Sequence, residues 1–160
     1  MKPKLFLLIS LFPLLCEAQV VKGFKRLSNK VNITLSDGTL SISPLTENAV
    51  RIKFYKESKG NLPELILTSG VATPRFQVLD LPTKLEIKTK NIQVLLDKHT
   101  GKLSYASNAG KEFLSEEAGS RKLTPGSIQD EPCYDAEQSF ESPSDEYILV
   151  WGNFRTGNIT

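Results

Sequence analysis

Chemistry-bearing side chains are scarce in this sequence. Its 160 residues hold one histidine, one tryptophan, one methionine and two cysteines. One of the cysteines, Cys16, lies in a leader-like stretch. Cys133 is then left without a partner, which excludes an intramolecular disulfide even in an oxidising compartment. A single His and a single Cys fall short of the three or four ligands a zinc site needs, so neither a metal nor any other cofactor is expected. Charge of one sign is also missing: 20 basic residues face 18 acidic ones. A nucleic-acid binder carries a clustered basic face, and none stands out here. Long apolar runs are absent too, apart from Leu5–Leu15, which is shorter than the roughly 20 residues a membrane span requires.

That run has another reading. Met1-Lys2-Pro3-Lys4 is a short cationic start, Leu5–Leu15 an apolar core, and Cys16-Glu17-Ala18 a small-residue cleavage site, as in a secretory signal. Cleavage is expected between Ala18 and Gln19, leaving 142 residues as one domain, 19–160, exported to the periplasm or the exterior. The competing reading is a lipoprotein acylated at Cys16, against which the bulky Leu15 counts. Loss of Lys2, Lys4 and Glu17 takes the basic residues from 20 to 18 and the acidic from 18 to 17, so net charge falls from +2 to +1.

What is plentiful is alternation. Val31, Ile33 and Leu35 interleave with Asn32, Thr34 and Ser36, Asp37-Gly38 turns the chain, and Leu40 and Ile42 resume, a strong hairpin signal. Val50, Ile52 and Phe54 predict a third strand, with Pro44–Asn48 as its connection. Leu85, Ile87 and Thr89, then Ile92, Val94 and Leu96, continue the period of two. Leu103–Tyr105 and Glu112–Leu114 follow after polar turns. Short strands with one apolar and one wet face predict an all-β, antiparallel sandwich. Gly60–Pro82, broken by Pro63, Pro74 and Pro82, reads as irregular or edge structure. Ser115–Gly119 has the composition of one helical turn at most. Gly119–Pro143 reads as loops around at most two short strands, near Leu123 and Phe140.

No catalytic set emerges. Glycoside hydrolysis takes two carboxyl groups across a sugar site. The available pairs are Glu116-Glu117, Asp130-Glu131, Asp145-Glu146 and Asp135-x-Glu137. Adjacent residues of a strand point to opposite faces, so the adjacent pairs cannot flank one bond from a strand. His99 falls in the polar turn Asp97–Gly101, and Cys133 reaches it only by long-range folding. Asn32-Ile33-Thr34 and Asn158-Ile159-Thr160 match the glycosylation triplet, a pattern too common to carry weight. The best surface hint is the cluster Tyr147, Trp151, Asn153, Phe154 and Arg155, of which Trp151, Asn153 and Arg155 suit stacking on a sugar ring with polar groups at its edge. Packing in a final strand or against another domain is the competing role for these aromatics.

Several of these segments carry a resemblance. Asn91–Asp97 (NIQVLLD), Thr100–Tyr105 (TGKLSY), Gly110–Glu117 (GKEFLSEE) and Gln138–Ile148 (QSFESPSDEYI) resemble the N-terminal, galactose-mutarotase-like β-sandwich of glycoside hydrolase family 31, bacterial α-xylosidase-type members above all. The likeness runs from about Gly23 to Gly157. It implies a sandwich that precedes a TIM barrel in a multi-domain exported α-xylosidase or α-glucosidase. The barrel would hold the nucleophile and acid/base aspartates. No stretch here matches the nucleophile motif (Trp-x-Asp-Met-Asn-Glu-like), and Trp151-Gly152-Asn153 is not one, so no catalytic residue carries over. The chain departs from the family's glycine-rich run after Tyr-Ile: Val150 and Trp151 stand where a glycine and a small or aliphatic residue are usual. The resemblance thus implies a non-catalytic sandwich that packs on a barrel and shapes its rim, the chain stopping short of that barrel. A free-standing carbohydrate-binding module and a structural remnant of a truncated gene are the alternatives.

Overall fold

The computed structural model describes residues 19–56 and 72–142. Within them the chain is all-β, with antiparallel pairing throughout. The first sheet runs in chain order through β1 (Val21–Arg26), β2 (Val31–Leu35), β3 (Thr39–Thr46) and β4 (Ala49–Tyr55). The second, also in chain order, holds β5 (Gln77–Asp80), β6 (Lys84–Lys88), β7 (Ile92–Asp97), β8 (Leu103–Ser107) and β9 (Glu112–Ser115). Two further strands, β10 (Lys122–Ile128) and β11 (Glu131–Glu137), pair only with each other.

Alternation decides which face each strand buries. Val31, Ile33, Leu40 and Ile42 come from the first sheet, and Leu85, Ile87, Val94, Leu96 and Leu103 from the second. All are buried in one cluster, which makes the two sheets a sandwich. Cross-strand register stacks the same residues: Ile33 lies opposite Leu40, Ile42 opposite Ile52, Ile87 opposite Val94, and Leu96 opposite Leu103. Burying each such side chain contributes about 1.5–3 kcal/mol. Arg26 seals one margin, its guanidinium 5.2 Å from the Phe76 ring centroid and its Nη2 donating to the Phe76 carbonyl at 3.1 Å.

Four elements differ from expectation. Strand β1 was not anticipated, because Val21-Lys-Gly-Phe-Lys-Arg26 alternates weakly; it is an edge strand whose Phe24 pairs with Ile33. Strand β3 runs through Pro44 to Thr46 instead of stopping before it. A register shift between Pro44 and Thr46 accommodates the ring, and only Glu47-Asn48 turns the chain. The helical turn at Ser115–Gly119 does not form. Ser115 ends β9, and Glu116 makes an isolated antiparallel bridge with Phe140, with Glu117 N donating to Ser139 O and Glu141 N to Ser115 O.

The largest difference is Gly119–Pro143: the short strand expected near Leu123 is β10, but it pairs over seven residues with an unexpected β11, and Phe140 makes only an isolated bridge. The two-residue turn between β10 and β11, Gln129-Asp130, has positive φ at both residues (49° and 65°), as a twist-matched hairpin turn requires. Ile128 and Glu131 flank that turn and so form a hydrogen-bonded pair. Because the ladder alternates, Pro125 and Pro132 fall at non-hydrogen-bonded positions, where no cross-strand donor is lost. That is how two prolines sit inside paired strands.

The Asp37-Gly38 turn between β2 and β3 forms as expected, with Leu35 N donating to Gly38 O at 2.8 Å. Its glycine is required by close approach: a Cβ on Gly38 would stand 2.7 Å from the Tyr55 carbonyl and 2.8 Å from the Phe54 ring. Gly38→Ala is therefore expected to cost about 1–3 kcal/mol in urea unfolding. A loss under about 0.5 kcal/mol would show that the turn shifts freely.

Candidate functional site

One end of the sandwich is closed by a buried polar cluster that the alternation pattern does not announce. Glu116, just past β9, is 1% exposed and Arg121 is 6% exposed. The Arg121 guanidinium donates through Nη2 to Glu116 Oε2 and, at 3.2 Å, to the Gly101 carbonyl, and through Nη1 to Gln19 Oε1 at 2.8 Å. Leu103 N donates to Glu116 Oε2 at 3.0 Å, and the Gln138 amide donates to Glu116 Oε1. Gln19 Nε2 in turn donates to Asp37 Oδ2 at 2.7 Å and to the Arg121 carbonyl at 2.8 Å. The guanidinium also lies 5.8 Å from the centroid of the Phe54 ring on β4.

Local geometry holds these groups. Gly101 closes the β7–β8 turn at φ 69°, and a Cβ there would meet the Gln19 carbonyl oxygen at 2.4 Å, so the residue is confined to glycine twice over. Asp97 organises the same turn, its Oδ1 accepting from His99 N, Thr100 N and Thr100 Oγ1. Outside the cluster lies a hollow of about 940 Å³, lined by Gln19, Asp37, Lys56, Glu117, Arg121 and Glu137 among others.

A buried carboxyl raised above its ordinary value is one half of a glycosidase's equipment. Glu116 has that half: burial pushes it up against the opposing pull of Arg121 and of the hydrogen bonds from Leu103 N and Gln138. Its surroundings deny it the role of an acid. Each neighbouring group offers a hydrogen and none accepts one, so its oxygens act only as acceptors, and no substrate reaches a side chain sealed at 1% exposure. The arrangement is a structural ion pair in which both Glu116 oxygens and both terminal nitrogens of Arg121 are hydrogen-bonded, while the buried Arg121 Nε has no partner among the described residues.

The sequence-predicted groups are dispersed. Glu117 points away from Glu116, exposed at the hollow. Asp130 and Glu131 lie at the tip of the β10–β11 hairpin, and Asp135 and Glu137 share one face of β11. His99 is exposed in the β7–β8 turn, while Cys133 is half-buried on β11. No three His, Cys, Asp or Glu side chains come together as metal ligands among the described residues. Asp145-Glu146, Tyr147, Trp151, Asn153 and Arg155 lie outside the described residues, as do Cys16 and the leader. Sequence reasoning missed Gln19 and Arg121 altogether. Their partners are 102 residues apart, a separation that leaves no local signature.

The fold is that of a segment of glycoside hydrolase family 31 enzymes. The GH31 alpha-xylosidase of Xanthomonas citri superimposes with a TM-score of 0.68 and 22% identity over 76% of this chain. A GH31 alpha-xylosidase from a soil metagenome, solved with xylose, gives 0.62 and 24% over 77%. The matched region spans only 14% and 21% of those two chains. No protein-family model matches the sequence. No curated protein matches it either.

Two outcomes are expected of the cluster. Glu116→Gln and Arg121→Met should each destabilise by about 3–5 kcal/mol in denaturant titration, because each leaves a buried charge without its partner. The double variant should lose less than the sum of the two, and full additivity would show that the groups do not act as a pair.

Tyr105 supplies the pH dependence. Burial, aided by the Glu116 charge, raises its hydroxyl well above the ordinary tyrosine value of about 10. The folded state then keeps the proton to a higher pH than the unfolded one. Stability from this group is complete below about pH 10 and falls above it by up to about 1.4 kcal/mol per pH unit. Tyr105→Phe should flatten that alkaline slope; an unchanged slope would place its cause elsewhere.

Proposed function

We propose that this chain is the non-catalytic, N-terminal β-sandwich of a longer, exported α-glycosidase of the family 31 kind. It packs on a barrel that carries the chemistry and shapes the rim of the sugar site. One observation carries the reading: three quarters of the chain shares its fold with GH31 alpha-xylosidases, yet occupies about a seventh to a fifth of their length. The sealed environment of Glu116 agrees, since this carboxyl, the one that burial raises among the described residues, is committed to Arg121. Export follows from the leader, with cleavage between Ala18 and Gln19. Trp151, Asn153 and Arg155 are the residues proposed to meet sugar, on the strength of their side-chain chemistry alone.

Purified 160-residue chain assayed on aryl α-xylosides and aryl α-glucosides should release no phenol above the blank. Hydrolysis that rises with chain concentration and survives repurification would overturn the reading.

A further inference from the structure

The β10–β11 hairpin pairs with neither sheet, and apart from the half-buried Leu123, Gly126 and Cys133 every residue of its two strands is exposed. A two-stranded hairpin alone in water is marginally stable, so its chemistry was searched for a partner.

Register sorts its side chains onto two unlike faces. Leu123 lies opposite Ala136, Pro125 opposite Tyr134, and Ser127 opposite Pro132, giving one face that is apolar over nearly its whole length. The other face pairs Lys122 with Glu137, Thr124 with Asp135, Gly126 with Cys133, and Ile128 with Glu131. Both faces are wet: Tyr134 is 48% exposed and Ile128 67% exposed. The sixteen residues from 122 to 137 carry one lysine against four carboxylates, Asp130, Glu131, Asp135 and Glu137, a net charge of 1 − 4 = −3.

These features select among occupants. Pro125 and Pro132 each remove an outward-facing donor, one from each edge, so strand addition along either edge is blunted. Face-to-face packing of two copies sets −3 against −3, a like-charge contact that opposes association. What fits is a groove with one apolar wall for Leu123, Pro125 and Tyr134 and an opposite wall carrying Lys or Arg for Glu131, Asp135 and Glu137.

We infer that this hairpin is a docking arm, received by such a groove on another domain of the same, longer polypeptide. The inference rests on the domain reading above. The length of the matching solved chains supports it, since 86% and 79% of them lies outside the region shared with this one.

Hydrogen exchange read by mass spectrometry tests the arm. It is run on the 160-residue chain and on the polypeptide of the complete reading frame. Amides of 126–134 should exchange at least about 100-fold more slowly in the longer polypeptide. Tyr134→Asp and Asp135→Lys should each remove that protection there, while leaving the thermal midpoint of the 160-residue chain unchanged. Hairpin amides equally fast in both polypeptides, with amides of either sheet protected in the longer one, would overturn the docking arm and leave the domain reading standing. No gain of protection anywhere in 19–142, or a frame that ends at Thr160, removes the domain reading and this inference with it. Concentration-dependent sedimentation of the 160-residue chain that Tyr134→Asp abolishes would assign the arm to a second copy and overturn the proposal.

Discussion

Everything in this molecule hangs on the apolar contact between two sheets. Ile33, Leu40 and Ile42 press against Leu85, Ile87, Val94, Leu96 and Leu103, and these residues are fully or almost fully withdrawn from water. Period-two alternation creates that contact, because a strand with every second residue apolar has one side it must hide. Once the sheets stack, their ends and margins pose a different problem. Backbone and polar groups near the core must be satisfied there without water. Arg26 over Phe76 meets it at one margin, and the Glu116–Arg121 pair with Gln19 and Gln138 meets most of it at one end, where the buried Arg121 Nε and Asp37 Oδ1 are without a hydrogen bond among the described residues.

The ion pair also explains why a carboxyl with a raised proton affinity is present without an active site around it. Desolvation alone pushes Glu116 up. Catalysis asks in addition for a second carboxylate across an accessible gap, whereas here the neighbours are an arginine, an amide and a backbone N–H. Stability and chemistry draw on the same group, and in this fold stability has taken it.

Much of the sandwich was legible beforehand. Strands β2, β4, β6, β7, β8 and β9, and β3 as far as Ser43, lie where the sequence placed them; in β2, β3, β6, β7 and β8 the period follows from buried positions, whereas β4 is only half-buried and β9 mostly exposed. Legibility failed where burial did not supply a period. Strand β1 is an edge with Lys22, Lys25 and Arg26 exposed, so its residues carry little pattern. The β10–β11 hairpin lacks any covered face, and its prolines, usually breakers, occupy the non-bonded register. The cluster around Arg121 was invisible for another reason. Its bonds are side chain to side chain or side chain to backbone at long range, and sequence periodicity reports neither. Trp151, Asn153 and Arg155, proposed from side-chain chemistry, lie outside the described residues.

The long stitch between Gln19 and Arg121 has a temporal side. Their bonds span 102 positions, so at roughly 5–20 residues per second the ribosome delivers the arginine about 5–20 s after the glutamine. For the later part of that interval, once Tyr55 has ended β4, the first sheet is complete in sequence while the end it shares with Arg121 stays open. Its apolar side also waits for the strands that will cover it. The period over which that apolar side stays uncovered is thus set by translation speed as much as by any folding barrier.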